Sequence, residues 1–150
     1  MKWYEKYTGL HYQHLGLDPK TGIDCFNLVK LIYKDELGID IPYTTRDWCN
    51  IVDANWYNYD TTRPFEKGGT EEFGWKKIEK PKVYDVVTMS IGATNQTNHC
   101  ALYVDHNRLL HCMDNRKSWV GVYGKYYKQY TSGIHRWIGI KNNDSISKIT

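Results

Sequence analysis

No stretch of the 150-residue chain stays apolar for the ~18 positions that a membrane-spanning helix requires. The first ten residues also lack the apolar core of a secretory signal, because Trp3, Tyr4 and Tyr7 stand among Glu5 and Lys6. Synthesis in the cytoplasm is therefore expected, with any export by another route, such as assembly into a larger particle or release by lysis. Charge of one sign is scarce as well. The 20 basic and 17 acidic residues leave a net +3, too small an excess to point to nucleic acid. Among Cys25, Cys49, Cys100 and Cys112 there is no CxxC pair, which excludes zinc-ribbon and thioredoxin spacings. With no signal for an oxidising compartment, these thiols are expected to stay reduced. Repeats and low-complexity tracts are absent too, and the length suits a single domain across residues 1–150.

What is present is enough for a core. Hydrophobic residues make up 41 % of the chain and charged residues 25 %, which rules out a disordered segment. The 13 Tyr and 6 Trp pack a core and rim, or line a sugar or peptide groove. The densest basic stretch, Lys76-Lys77-Ile78-Glu79-Lys80-Pro81-Lys82, reads as a solvated linker ahead of a strand.

Periodicity organises the chain into helices, then strands. Asp18-Pro19-Lys20-Thr21-Gly22 is a turn signal. A helix is predicted over 25–37, with Cys25, Leu28, Val29 and Ile32 on one face. Asp24 is its N-cap, Gly38 its stop, and Pro42 lies beyond. A second helix is expected over 44–54 and a long loop, flanking a groove, over 55–74. Strands are predicted over 84–90, 99–104, 109–113 and 135–140, with a hairpin turn at Asp105-His106-Asn107 and a polar tail over 142–150. The sum is an α+β fold, N-terminal helices packed on an antiparallel sheet.

Three residues in this frame carry chemistry. Cys25 falls in the first turn of the helix, where unpaired amides and the helix dipole favour an anion. A thiol there is partly thiolate at neutral pH, and the thiolate is the nucleophile of acyl transfer. The competing reading is a buried apolar cysteine, the commonest fate of the residue. His99 opens a strand, leaving a ring edge free for a neighbouring element; the competing reading is a surface histidine. His111 lies in the next strand. In an antiparallel hairpin, side chains on one face repeat every second residue. His99 and His111 therefore become diagonal neighbours, ~7 Å apart, only if paired positions sum to an even number. A strict two-residue turn at His106-Asn107 gives an odd sum. The geometry thus requires an odd-length loop, most simply Asp105-His106-Asn107, or a bulge. His111 can then hold the His99 imidazole in one tautomer, as the third member of a triad. A zinc site built from His99, His111 and Cys112 lacks any short-spaced ligand pair, so no metal or other cofactor is assigned.

At these residues the chain resembles a known family. Gly22-Ile23-Asp24-Cys25-Phe26-Asn27-Leu28-Val29 is similar to the Asp-Cys nucleophile motif of the NlpC/P60 cysteine peptidases. Asp85-Val86-Val87-Thr88-Met89 resembles their "Gly-Asp-Val-Val" strand. Asn98-His99-Cys100-Ala101-Leu102-Tyr103-Val104 and Arg108-Leu109-Leu110-His111-Cys112 resemble their "His-Val-Gly-Ile-Tyr" and "His-Ala" strands. The resemblance implies a papain-like fold and cleavage of peptidoglycan stem peptides, often at a γ-D-glutamyl bond to a diamino acid. It also implies an oxyanion partner at Tyr12, where His11-Tyr12-Gln13-His14-Leu15-Gly16 aligns with the family's "Pro-Tyr-x-x-Gly-Gly"; core packing is the competing role. Asp24 would serve as helix cap, substrate-amine contact, or both.

The departures are informative. Phe26 and Asn27 replace the family's Ser-Gly, whose serine helps wall-recycling members bind a free N-terminal L-alanine. Tyr84 replaces the glycine before Asp85, a local turn change. The aromatic after Asp-Cys and the exit Leu37-Gly38-Ile39-Asp40-Ile41-Pro42 resemble phage tail-associated members. Implied partners are peptidoglycan stem peptides and phage tail proteins, with the chain incorporated into a virion tail. Two rival functions share the resemblance: a catalytically idle structural component of a tail, and an acyltransferase whose acceptor is not water. His11, His14, His106 and His135 are assigned surface or structural roles.

Overall fold

The computed structural model describes residues 2–48, 62–66, 70–92 and 97–140. The chain opens with a 3-10 turn, Trp3–Tyr7. A two-stranded ribbon of β1 (Leu17–Asp18) and β2 (Gly22–Ile23) then runs directly into α1 (Cys25–Leu37). This helix has the predicted ends because both are set by local chemistry. Asp24 is extended and its carboxylate accepts from the Asn27 N–H at 2.7 Å. Gly38 adopts φ 65°, a left-handed conformation that spares it a Cβ clash, and its N–H returns to Lys34.

Leu28, Val29 and Ile32 of α1 are buried in one cluster with Cys100, Leu102 and Val104 of the sheet. Burying each aliphatic side chain contributes about 1.5–3 kcal/mol, so this seam fixes the helix on the sheet. The sheet has six strands in the order β3-β8-β4-β5-β6-β7: β3 (Trp75–Ile78), β4 (Val86–Met89), β5 (His99–Asp105), β6 (Arg108–His111), β7 (Trp119–Val122) and β8 (Thr131–Trp137). Neighbours pair antiparallel throughout. A second cluster, with Val87, Met89, Ala101 and Leu109, fills the opposite face, where Tyr127 of the short α3 (Lys125–Gln129) and Tyr130 just after it pack. The architecture is α+β, as predicted, and no helix of the described residues is long and apolar enough to cross a membrane.

The strand hairpin that carries both histidines resolves the parity question. Leu102 pairs with Leu110 and Tyr103 with Leu109, but Asp105 pairs with Arg108. The turn is two residues, His106 and Asn107, at φ 43° and 63°, the geometry favoured in tight hairpins. Val104 is the extra residue, a bulge that restores the even register below it. Of the two routes open to the sequence, the bulge is the one realised.

Several expectations are corrected. Lys76, Lys77 and Ile78 are not linker but part of β3, an edge strand whose Trp75 is buried while its lysines face out. Charged residues on an edge strand blunt further pairing, and so imitate a loop in sequence. Where a helix is expected over 44–54, Thr45–Asp47 form a 3-10 turn, and residues 49–54 lie outside the described residues. Within the supposed loop over 55–74, residues 62–66 and 70–74 carry α2 (Arg63–Glu66) and a 3-10 turn, Thr70–Phe73; residues 55–61 lie outside the described residues. The polar tail over 142–150 lies outside them as well. Neither β7 nor α3 was anticipated, and β8 starts four residues earlier than the predicted 135–140 strand.

Two family-like positions acquire a structural reason. Asp85 is buried and takes a bidentate hydrogen bond from Arg136 of β8, at 3.0 and 2.8 Å, which ties the entry of β4 to its neighbour. Tyr84, where the family has glycine, does adopt φ 75°. Its carbonyl accepts from the Tyr33 hydroxyl and its ring packs on Trp3, which hold this unfavourable conformation in place.

Candidate active site

The head of α1 and the start of β5 meet. Cys25 is 4 % exposed, and its sulfur is hydrogen-bonded by the Cys100 thiol, the Cys100 N–H and His99. The Cys100 hydrogen bond, then His99 by hydrogen bond and charge, hold the Cys25 thiol well below its ordinary pKa, against the opposing effect of burial. The neighbouring thiols go the other way. Burial and the adjacent Cys25 push Cys100 well up, and the same causes push Cys112 up to about 12. Among the described residues, Cys25, Cys100 and Cys112 form no disulfide with one another.

His99 begins β5, and this end position lets its ring reach Cys25 on the helix side and His111 on the other. His99 Nε2 lies 2.9 Å from His111 Nδ1. His111 is buried, which keeps it neutral: burial, then the charge of His99, then that of Arg116, lower its pKa well below the usual imidazole value. Its ring stands 4.0 Å from that of Trp119, its partner across the β6–β7 pair, and 5.1 Å from that of Tyr127. Its Nε2 finds no hydrogen-bond partner among the described residues. The three residues singled out from sequence are thus brought into one hydrogen-bonded line.

Asp24 stands apart from this line. It is 0 % exposed, and its carboxylate is taken up by the Asn27 N–H and side chain and by the Thr45 hydroxyl at 2.6 Å. Burial, then the charge at Cys25, raise its pKa to about 8, against those hydrogen bonds. Of the two roles anticipated, the cap is seen directly, and the carboxylate is fully buried. Asp24→Ala is expected to cost about 2–4 kcal/mol of stability, measured by denaturant unfolding, because it removes a cap and strands Thr45 and Asn27. A loss under 1 kcal/mol would contradict this account.

Tyr12 is half-buried and bridges in parallel to Ile23, two residues before Cys25. It therefore borders the same stretch of backbone that delivers the nucleophile candidate. Of the remaining histidines, His106 is exposed at the hairpin tip, whereas His135 is a core residue, beside Thr88 and Phe65. Burial, then Lys77, push His135 down to about 4. Cys100, Trp119 and Arg116 escaped the sequence reading. Cys100 alone had a visible signal: alternation along β5 turns the residue after His99 toward the helix.

A cysteine at the head of a buried helix, faced by a histidine pair on an antiparallel sheet, defines a class of α+β domain. Comparison supplies the particular family: residues 9–136 match the NlpC/P60 family, and the chain belongs to it. It is 26 % identical over 126 residues to the tail tip assembly protein K of Escherichia phage N15, covering 83 % of this chain and 49 % of that one. It is 24 % identical over 150 residues to the gamma-DL-glutamyl hydrolase of Bacillus subtilis strain 168, covering 97 % of this chain and 31 % of that one. The chain thus spans half or less of the length of these two relatives. Among solved structures, the NlpC/p60 domain of the peptidoglycan hydrolase SagA superposes with a TM-score of 0.51 at 21 % identity, over 86 % of this chain and 88 % of that one.

Proposed function

We propose that the chain is a cysteine peptidase that hydrolyses amide bonds of peptidoglycan stem peptides, acting in a phage tail. The observation that carries this reading is the line from the low-pKa Cys25 sulfur through His99 to His111. Its relatives support the setting: one is a tail tip assembly protein and another a gamma-DL-glutamyl hydrolase.

The chemistry follows from the line. His99 takes the proton of Cys25, leaving thiolate beside imidazolium. An imidazolium bears a proton on each nitrogen, so its Nε2–H donates to His111 Nδ1, and neutral His111 is a suitable acceptor. The thiolate attacks the amide carbonyl. The Cys25 N–H, at the open end of α1, and the Tyr12 hydroxyl stabilise the oxyanion. His99 passes its proton to the leaving amine, the C–N bond breaks, and a thioester remains. Water, deprotonated by His99, then releases the carboxylate and restores the thiol.

Mass spectrometry of muropeptides incubated with the protein should show one amide converted to a free amine and a free carboxylate. In parallel, iodoacetamide at pH 7 should alkylate Cys25 at least tenfold faster than Cys100 or Cys112, because of these three described thiols only Cys25 has a lowered pKa. Labelling of Cys25 no faster than of the other two, with muropeptides left intact, would identify an idle tail component instead. Transfer of the acyl group to an added amine in place of water would identify an acyltransferase.

A further inference from the structure

Beside the proposed triad the surface is hollowed by a pocket of about 310 Å³ lined by His11, Tyr12, Asp114, Asn115, Arg116 and Lys117. Three backbone segments bring it to the site. Ile23 donates to the His11 carbonyl at 2.9 Å, Tyr12 bridges to Ile23, and His11 bridges to Lys117. The pocket wall is therefore one strand-width from the backbone leading into Cys25.

Arg116 has a specific seat there. A turn closed by its N–H to the Met113 carbonyl, with Asn115 at φ 62°, delivers it from the end of β6. Its guanidinium lies over Trp119, 3.7 Å from the ring centroid, and Trp119 lies 4.0 Å from His111. Stacking on an aromatic face fixes the plane of a guanidinium and leaves its edge donors free. Among the described residues no carboxylate pairs with it, although Asp114 lines the same pocket. Arg116 and Lys117 leave the pocket cationic beside a place where an amide is to be cut.

We propose that this pocket binds a carboxylate that the substrate carries next to the scissile amide, with Arg116 as the residue that selects it. The inference rests on the function proposed above and narrows it. A glutamate linked through its γ-carbonyl keeps its α-carboxylate ionised close to the reacting carbon. A planar two-oxygen anion matches the guanidinium fork. The amidated form of the same residue matches it poorly, having one neutral acceptor and a donor that faces other donors. Pairing also compensates the Arg116 charge that opposes protonation of His111.

The test uses two stem peptides that differ only in whether that carboxyl is free or amidated. Wild-type protein should cleave the free acid with kcat/KM about 10- to 100-fold higher than the amide, the range of a charge-assisted hydrogen bond. Arg116→Gln should erase the preference by raising KM for the acid much more than for the amide, and Arg116→Lys should keep part of it. An equal loss on both peptides, or a preference that survives in Arg116→Gln, overturns the assignment. Binding is measured separately by calorimetry on Cys25→Ala and on Cys25→Ala/Arg116→Gln. An acid preference present in the first and lost in the second supports the pocket even if no peptide is turned over. Equal affinity of Cys25→Ala for both peptides refutes it even if turnover is found.

Discussion

Under the proposed function, Cys25→Ala is expected to lower the turnover of wall peptides by about 10⁶-fold, the size of loss seen when a covalent nucleophile is removed and only binding and oxyanion stabilisation remain. The fold should survive the change. Cys25 sits at the helix head, where the cap is supplied by Asp24 and the seam to the sheet by Leu28, Val29 and Ile32. Loss of one buried sulfur costs about 1 kcal/mol. Part of that is offset, because the charge at Cys25 pushes up the Asp24 carboxyl. The check is the rate of muropeptide cleavage by mass spectrometry beside the thermal unfolding midpoint of both proteins. Cleavage by the alanine variant at the wild-type rate would remove Cys25 from the chemistry altogether.

His111→Ala is expected to lower kcat by about 10³–10⁴-fold and to leave KM nearly unchanged, because in the proposed mechanism the third member of the line orients the base without reacting. The 2.9 Å bond to His99 is the means. Without it the ring of His99 is free to turn, and the imidazolium formed during attack loses the acceptor on its far nitrogen. His111→Asn, which restores an acceptor oxygen, should recover part of the rate. Steady-state kinetics on one defined peptide separate the cases: a rate equal to wild type excludes the orienting role. Complete loss in both variants, with circular dichroism unchanged, points to a reacting role instead.

The legible parts of the molecule were those fixed by neighbours in sequence. Helix α1 was readable to the residue because Asp24 and Gly38 act on their own turn. The inner strands β4 and β5 are apolar runs. The histidine pair could be proposed, together with the condition it must satisfy, but the bulge at Val104 could not be located. Whether a strand holds an extra residue depends on what its partner offers, and that is long-range information. The edge strands were missed for a related reason. Lys76, Lys77 and the exposed Val122 have one paired side and one open side, so neither alternation nor an apolar run marks them. The stack of Arg116 on Trp119 on His111 was hidden for the same cause, since it exists only once β7 lies against β6. Local rules sufficed for the position of Cys25; the residues that surround it come from strand pairing.

The extra residue in β5 makes the site a matter of odd and even. Val104 touches no reacting atom, yet it decides which side of the sheet every later residue of the hairpin occupies relative to those before it. A tip redesigned with a different spare count would keep its sequence motifs and still turn one imidazole away from the other. In this hairpin the meeting of His99 and His111 is held by arithmetic along the chain as much as by any bond across it.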